Sequence, residues 1–133
     1  MSYTVLQTNC KQPTAVSDAS VVESKQKSTS SSPSVFGPVY WGYLHIATVH
    51  LPEKLNPIIA EQIRNVILAI PVTVPCDVCS LHSGNFMSQN KDKLLALKTG
   101  PEFFNFTVDL HNLVNKRLGK HVASYEEARN YWK

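Results

Sequence analysis

The order of apolar and polar residues divides the chain into two parts. Residues 1–35 are mostly polar, rich in Ser, Thr, Lys and Gln, and Tyr3 is their only aromatic residue. Such a segment buries too little apolar surface to offset the entropy that it would lose on ordering. We therefore expect residues 1–35 to form a disordered Ser/Thr-rich tail and residues 36–133 to form the folded domain.

Beyond the tail, apolar residues recur with the period of an α-helix. Segment 37–52 places Trp41 and His45 on one helix face, and segment 55–71 repeats apolar residues at helical spacing. A third helix is expected from the motif PCDVC to about Ser88, after a short extended link between two prolines, Pro71 and Pro75. The segment after Ser88, QNKDKLLALKTG, is predicted to be a connection of undefined shape.

The C-terminal part predicts two more helices. Residues 100–119 form a fourth helical pattern, with a proline at its start and Gly119 as its stop. Ser124 stands three residues before Glu127, which is the spacing of a capping box and predicts a short fifth helix. The residues of the fourth helix expected to face the core are Phe103, Phe106, Leu110, Leu113 and Val114. Because no stretch alternates like a strand, the prediction is an all-α bundle.

Composition and charge exclude several classes of protein. Lys and Arg are scattered without a run of four, and the net charge is only +3, so nucleic acid is not a predicted partner. No stretch reaches the roughly 18 apolar residues of a transmembrane helix, and the N-terminus lacks the apolar core of a signal peptide. We therefore expect the protein to stay on the cytoplasmic side, where a close cysteine pair indicates redox chemistry or metal binding.

Cys76 and Cys79 form such a pair at the predicted start of the third helix. The helix dipole and the unpaired N–H groups of a first turn stabilise thiolates and lower cysteine pKa values, which suits a redox dithiol. Zinc is an alternative, because His82 extends the pair to C-x2-C-x2-H, and a fourth ligand would have to come from His45 or His111. The pair alone leaves a redox dithiol, a metal site and two small buried residues all open.

A second group of residues indicates a cofactor. Trp41 and His45 lie four residues apart, as do His111 and Asn115, so each pair shares a helix face. Three basic residues follow in the sequence: Lys116, Arg117 and Lys120. A flavin is planar and carries a phosphate tail. It is therefore favoured by an aromatic ring, hydrogen-bonding side chains and basic residues that stand beside a redox pair.

Four motifs then occur in the order of a known family, between residues 37 and 132. They are G-x3-W-x2-L-H, P-C-x2-C, H-N-x-V-N-x2-L-x-K and a terminal Tyr-Trp. Together they resemble the FAD-dependent sulfhydryl (thiol) oxidases of the Erv/ALR type, and the Gly-Pro before Trp41 makes the chain most similar to the small forms of large DNA viruses. The resemblance implies a four-helix bundle with a short fifth helix and FAD bound within the bundle.

The resemblance also implies an activity. Such an enzyme forms disulfides in protein dithiols, or in a thioredoxin-like relay protein, and passes the electrons through its C-x-x-C pair and FAD to O2, giving H2O2. It is usually a homodimer. As a viral late protein, it would be expected on the cytoplasmic side of the host cell, at virus assembly sites or in the virion.

By the same resemblance, Cys79 is the thiol next to the flavin and Cys76 is the thiol that exchanges with the substrate. No metal ligand is implied. The residues expected to hold FAD are Gly37, Trp41, Leu44, His45, His82, His111, Asn112, Val114, Asn115, Leu118, Lys120 and Trp132.

The chain departs from the family pattern at several positions. Pro38 replaces an arginine, and Val74 replaces an aromatic residue before the cysteine pair. Val108 and Tyr125 stand where many members carry a structural disulfide, and the tail holds only Cys10 instead of a shuttle pair. Two alternatives remain, a non-catalytic binding module of the same fold and a zinc-stabilised helical adaptor.

Overall fold

The structure, a computed structural model, describes residues 30–133. This part is all-helical, as predicted, and contains no strand. The helices in chain order are α1 Pro33–Val49, α2 Pro57–Leu68, α3 Ile70–Thr73, α4 Asp77–Gln89, α5 Lys91–Ala96, α6 Gly100–Arg117 and α7 Tyr125–Trp132. The long helices α1, α2, α4 and α6 correspond to the four predicted helices, and α7 is the short fifth one. None of the helices in this range is long and apolar enough to span a bilayer.

The first helix begins earlier than predicted. α1 starts at Pro33, so residues 33–35 belong to the helix rather than to the tail. A proline is well tolerated there, because its φ is already helical and its missing N–H has no partner in a first turn. Residues 1–29 of the predicted tail, with Cys10, lie outside the described residues.

Two connections also differ from the prediction. The link between Pro71 and Pro75, predicted to be extended, contains the helical turn α3, in which Pro71 again occupies a first-turn position. Only Val74 is extended, as expected for a residue before a proline. The segment after α4, predicted without a shape, forms the six-residue helix α5.

The core is built on α6, which packs along α1. Phe103, Phe106 and Leu110 are almost fully buried, as predicted. Leu113 and Val114 do not reach the core: Leu113 is 40% exposed and Val114 is half-buried. Both lie on the part of α6 that lines a cavity, so the prediction for these two residues is wrong.

The short helix α7 is fixed to the α1–α6 pair by a second apolar cluster. Its members are Val49, Phe104, Val108, Ala123 and Ala128. The predicted capping box is confirmed, since Ser124 Oγ accepts from the N–H of Glu127 while the Glu127 carboxylate accepts from the N–H of Ser124. This packing brings Trp132, at the end of α7, to within 5.0 Å of His45, measured between ring centroids.

Candidate active site

A cavity of about 230 Å³ lies between α1, α4 and α6. Cys79 lines it, together with the basic side chains of Arg117 and Lys120. Its apolar wall includes Phe36, Leu44, Ile70, Val74 and Leu110. An apolar cavity with a few polar groups is the usual form of a ligand site.

The cysteine pair lies at the N-terminus of α4, as predicted. Cys76 is the N-cap residue, and its Sγ accepts a hydrogen bond from the backbone N–H of Cys79 at 3.3 Å. Both residues are free thiols of intermediate exposure. Cys79 lines the cavity, whereas Cys76 is not among the lining residues. The two sulfurs therefore stand in different surroundings although they share one helical turn.

The two thiols have opposite pKa shifts. The pKa of Cys76 is lowered, first by the hydrogen bond with the Cys79 side chain and then by the N–H groups of Cys79 and Val78. The pKa of Cys79 is raised to about 11, mainly by burial and then by the hydrogen bond and charge of Cys76, while Arg117 opposes the rise. The expectation that the helix N-terminus lowers both pKa values is therefore wrong for Cys79, because burial and the Cys76 thiol outweigh the backbone N–H group and the charge of Arg117 there.

Beside the cavity, two histidines join in a buried network. Nε2 of His45 and Nδ1 of His111 are 2.7 Å apart, and Nδ1 of His45 lies 3.1 Å from Oγ1 of Thr107. The ring of Trp41 stacks on His111 with centroids 3.9 Å apart. Burial lowers the pKa of His45 to about 3, and burial followed by the charges of His45 and Lys120 lowers the pKa of His111 to about 2. Both imidazoles are therefore neutral near neutral pH.

Residues 38–133 match the sequence profile of the Erv1 / Alr family. The chain belongs to the Erv1/Alr family. A protein of Invertebrate iridescent virus 6 that bears the name of a FAD-linked sulfhydryl oxidase is 32% identical over 109 residues, which cover 79% of this chain and 98% of that protein. A FAD-linked sulfhydryl oxidase of African swine fever virus is 29% identical over 97 residues, covering 73% of this chain and 79% of the relative.

The fold agrees with this membership. The crystal structure of the yeast Erv1 core superposes with a TM-score of 0.70 at 17% sequence identity. The superposition covers 92% of this chain and 96% of the yeast one. The family resemblance read from the four motifs is thus confirmed, and so is the helical fold that it implied.

Most of the residues expected to hold the cofactor of an Erv1/Alr protein meet at the cavity. Those that line it are Gly37, Trp41, Leu44, His82, His111, Val114, Asn115, Leu118 and Lys120. Three others do not. His45 and Trp132 lie next to each other at the network, and Asn112 bonds the backbone of Ala123 in both directions, at 2.8 and 3.0 Å. In this arrangement Asn112 fixes the segment that leads to α7.

The turn after α6 is held by Asn115 and a glycine. Nδ2 of Asn115 donates to the carbonyl of His121 at 3.2 Å, and the carbonyl of Asn115 accepts from the N–H of Lys120 at 2.7 Å. Gly119 has a φ of +69°, a conformation that favours glycine and stops the helix as predicted. The turn brings Lys120 to the cavity, where its charge is available to an anionic ligand.

The motifs did not include several residues that the structure adds to the cavity. Phe36 and Tyr40 precede Leu44 at intervals of four, so the helical period could have found them. The Tyr40 hydroxyl donates to the carbonyl of Thr73 at 2.5 Å and ties α1 to α3. Ile70 was predicted to belong to the apolar face of the second helix, but it reaches the cavity from the unpredicted turn α3.

The residues present fit a flavin nucleotide. Nδ1 of His82, on the cavity wall, is buried and has no hydrogen-bond partner within residues 30–133. A buried polar atom without a partner is costly, and a ligand with polar edges would satisfy it. Stacked rings of Trp41 and His111 suit a flat group, and Arg117 and Lys120 suit a pyrophosphate.

The histidines that the zinc alternative would need as ligands are engaged in another contact. His45 and His111, one of which zinc would require, bond each other at 2.7 Å. Within residues 30–133 there is no group of three His, Cys, Asp or Glu side chains placed to hold a metal ion.

Proposed function

We propose that this chain is a FAD-linked sulfhydryl oxidase that forms disulfide bonds in protein dithiols. The observation that carries the proposal is the different placement of the two thiols. Cys79 lines the cavity that suits a flavin, and Cys76 caps the same helix without lining that cavity. The names of the viral relatives support this activity.

The cysteine pair exchanges with a substrate dithiol in two steps. In the oxidised enzyme, a substrate thiolate attacks Sγ of Cys76, forms a mixed disulfide and releases Cys79. The second substrate thiolate then displaces Cys76, which leaves a disulfide in the substrate and a reduced pair in the enzyme. A low pKa favours departure of Cys76 in the second step, and the charge of Arg117 favours the Cys79 thiolate released in the first.

The chain's own residues provide the site for the cofactor. When bound, FAD supplies a two-electron acceptor for the reduced pair, with O2 as the proposed final acceptor and H2O2 as its product. Trp41 and His111 would hold its flat ring system, His82 would offer a ring nitrogen, and the charge of Lys120 would bind its phosphates.

The proposal extends to partners and assembly. The substrates are protein dithiols or a thioredoxin-like relay protein, which would reach the half-buried Cys76. A homodimer is supported by a stripe of exposed apolar side chains on α1, formed by Val35, Val39, Tyr43 and Ile46. The likeness to viral relatives supports late expression on the cytoplasmic side of a host cell, at virus assembly sites or in the virion.

Oxygen consumption with dithiothreitol tests the proposed activity on the full-length protein. The purified protein should be yellow with a flavin spectrum, and Cys79→Ser should keep the flavin but lose oxygen consumption. Cys10→Ser is the matched control, because it removes the third cysteine and should keep the rate. Full activity in Cys79→Ser, or a colourless preparation that contains zinc, would contradict the proposal. A yellow but inactive wild-type protein would identify the non-catalytic binding module instead.

A further inference from the structure

The hydroxyl of Thr107 stands at one end of a buried chain of hydrogen bonds. Thr107 is fully buried on α6 and does not line the cavity. Its Oγ1 lies 2.7 Å from the carbonyl oxygen of Phe104. A carbonyl oxygen only accepts, so the proton of the Thr107 hydroxyl points to Phe104. Thr48 lies 3.4 Å away, but its own proton goes to the carbonyl of Leu44 at 2.7 Å.

The next link is His45. With its proton used, Oγ1 of Thr107 offers only lone pairs to Nδ1 of His45, 3.1 Å away. A bare ring nitrogen at that position would bring two lone pairs together, so Nδ1 of His45 carries the proton and donates. Because His45 is neutral, its other nitrogen, Nε2, is bare and must accept.

The same reasoning applies to the tautomer of His111. Its Nδ1 lies 2.7 Å from the bare Nε2 of His45 and must therefore carry a proton. Since His111 is also neutral, its Nε2 is an acceptor. The ring of His111 lines the cavity and stacks on Trp41, so this acceptor belongs to the cofactor site.

We propose that Thr107 is a positioning residue that sets the tautomers of His45 and His111 and so makes Nε2 of His111 an acceptor for an N–H or O–H group of the cofactor. The inference rests on the proposed function for the identity of that cofactor. FAD fits the requirement, because it carries ring N–H and amino groups as well as sugar hydroxyls. Thr107 itself touches neither the cavity nor, in this scheme, the cofactor.

Replacing Thr107 by valine keeps the shape of the side chain but removes the acceptor. Nδ1–H of His45 would then be buried without a partner, so the other tautomer is favoured. Nε2–H of His45 would donate to His111, which would in turn carry its proton on Nε2. A donor would then face the donor group of the cofactor, and FAD should bind about tenfold more weakly or worse.

Long-range proton–nitrogen correlation NMR on the full-length protein with its cofactor distinguishes the tautomers. We expect both histidines to carry their protons on Nδ1 in the wild type and in Thr107→Ser, and on Nε2 in Thr107→Val. Thr48→Val is the matched control, because it removes a neighbouring buried hydroxyl whose hydrogen bonds go to the carbonyls of Leu44 and His45 and to the Thr107 hydroxyl. It should keep both the wild-type tautomers and the wild-type FAD affinity, measured by flavin fluorescence.

Several results would overturn the role of Thr107. One is a wild-type His111 that carries its proton on Nε2, and another is an unchanged tautomer in Thr107→Val. Equal losses of FAD affinity in Thr107→Val and Thr48→Val would assign the effect to packing. Should Thr107→Val not fold, the spectra of the wild type and Thr107→Ser decide. A wild type that binds no FAD would contradict the proposed function, while its tautomers would still decide the role of Thr107.

Discussion

Cys76 and Cys79 share one helical turn, yet their thiols ionise in opposite directions. Cys76 gains hydrogen bonds from the groups at the start of α4, and Cys79 loses water in the cavity wall. The negative charge of the reduced pair is therefore concentrated on Sγ of Cys76, at the start of α4. This matters because the thiolate is the attacking species in disulfide exchange. The thiol that lines the cavity holds its proton while Cys76 is ionised.

Alkylation of the reduced protein should show this asymmetry directly. We expect iodoacetamide to modify Cys76 first, with a midpoint shifted to lower pH than that of an unperturbed thiol, and Cys79 only slowly. Peptide mass spectrometry over a pH series measures both rates, and Cys10 of the same chain serves as the internal reference. Equal rates at Cys76 and Cys79 would contradict the opposite shifts.

At the scale of elements, the start of α6 is confined by the loop after α1. The N–H of Gly100 donates to the carbonyl of Pro52 at 3.1 Å. A Cβ atom added at Gly100 would lie 2.5 Å from the carbonyl oxygen of Pro52 and 2.6 Å from that of Leu51. These are backbone atoms, so no side-chain rotation can relieve the clash.

Gly100→Ala should therefore lower the free energy of unfolding by roughly 2–3 kcal/mol. Gly42→Ala in α1 is the matched control, because nothing lies within 4 Å of an added Cβ there. It should raise stability by about 0.5–1 kcal/mol, since alanine is the better helix former. Urea unfolding midpoints compare the two variants, and a similar loss in both would contradict the steric argument.

The long helices could be predicted from the sequence because their apolar period spans several turns, but the short ones could not. α5 depends on Leu94, which is 1% exposed, and on Arg64, whose guanidinium donates to the carbonyls of Leu94 and Leu97 at 3.0 Å each. Arg64 lies about thirty residues earlier in the chain, so no local pattern contains this contact. α3 likewise depends on the burial of Ile70.

The candidate site shows the same limit. The motifs named most residues that meet at the cavity, because residue types at helical spacing fix which side chains share a face. They did not predict the pKa of Cys79, which depends on burial, or the contacts of Asn112, which depend on where Ala123 returns to α6. Thr107 belongs to no motif, and its importance follows from three distances that only the fold provides.

At the scale of the whole molecule, the exposed stripe on α1 predicts self-association. Val39, at 68% exposure, lies within the stripe, and Val39→Asp should convert a dimer to a monomer because a carboxylate would have to be buried in the interface. Val72→Asp is the control, since Val72 is 82% exposed in α3 and outside the stripe. Sedimentation velocity measures both. A wild-type monomer, or an unchanged dimer in Val39→Asp, would contradict the assignment.

The buried histidines connect the stability of the whole molecule to pH. In the folded chain the pKa of His45 is about 3 and that of His111 about 2, against an ordinary value of 6.5. Below about pH 6.5 the unfolded chain therefore binds protons that the folded chain does not. The free energy of unfolding must then fall as the pH falls, by up to about 1.4 kcal/mol per pH unit for each histidine.

We expect the unfolding midpoint in urea to fall, and flavin to be released, between about pH 7 and about pH 5, because His111 lines the cofactor cavity and both histidines lie at the α1–α6 contact. His111→Gln should reduce the dependence of the free energy of unfolding on pH by the contribution of about one bound proton, since one of the two titrating groups is gone. His50→Gln, which replaces an exposed histidine at the end of α1, is the matched control variant. Urea titrations at several pH values, followed by flavin fluorescence and circular dichroism, give the slopes. A wild-type slope in His111→Gln would show that other groups, such as carboxylates, dominate the acid response, and the neutral histidine pair would lose its role in it.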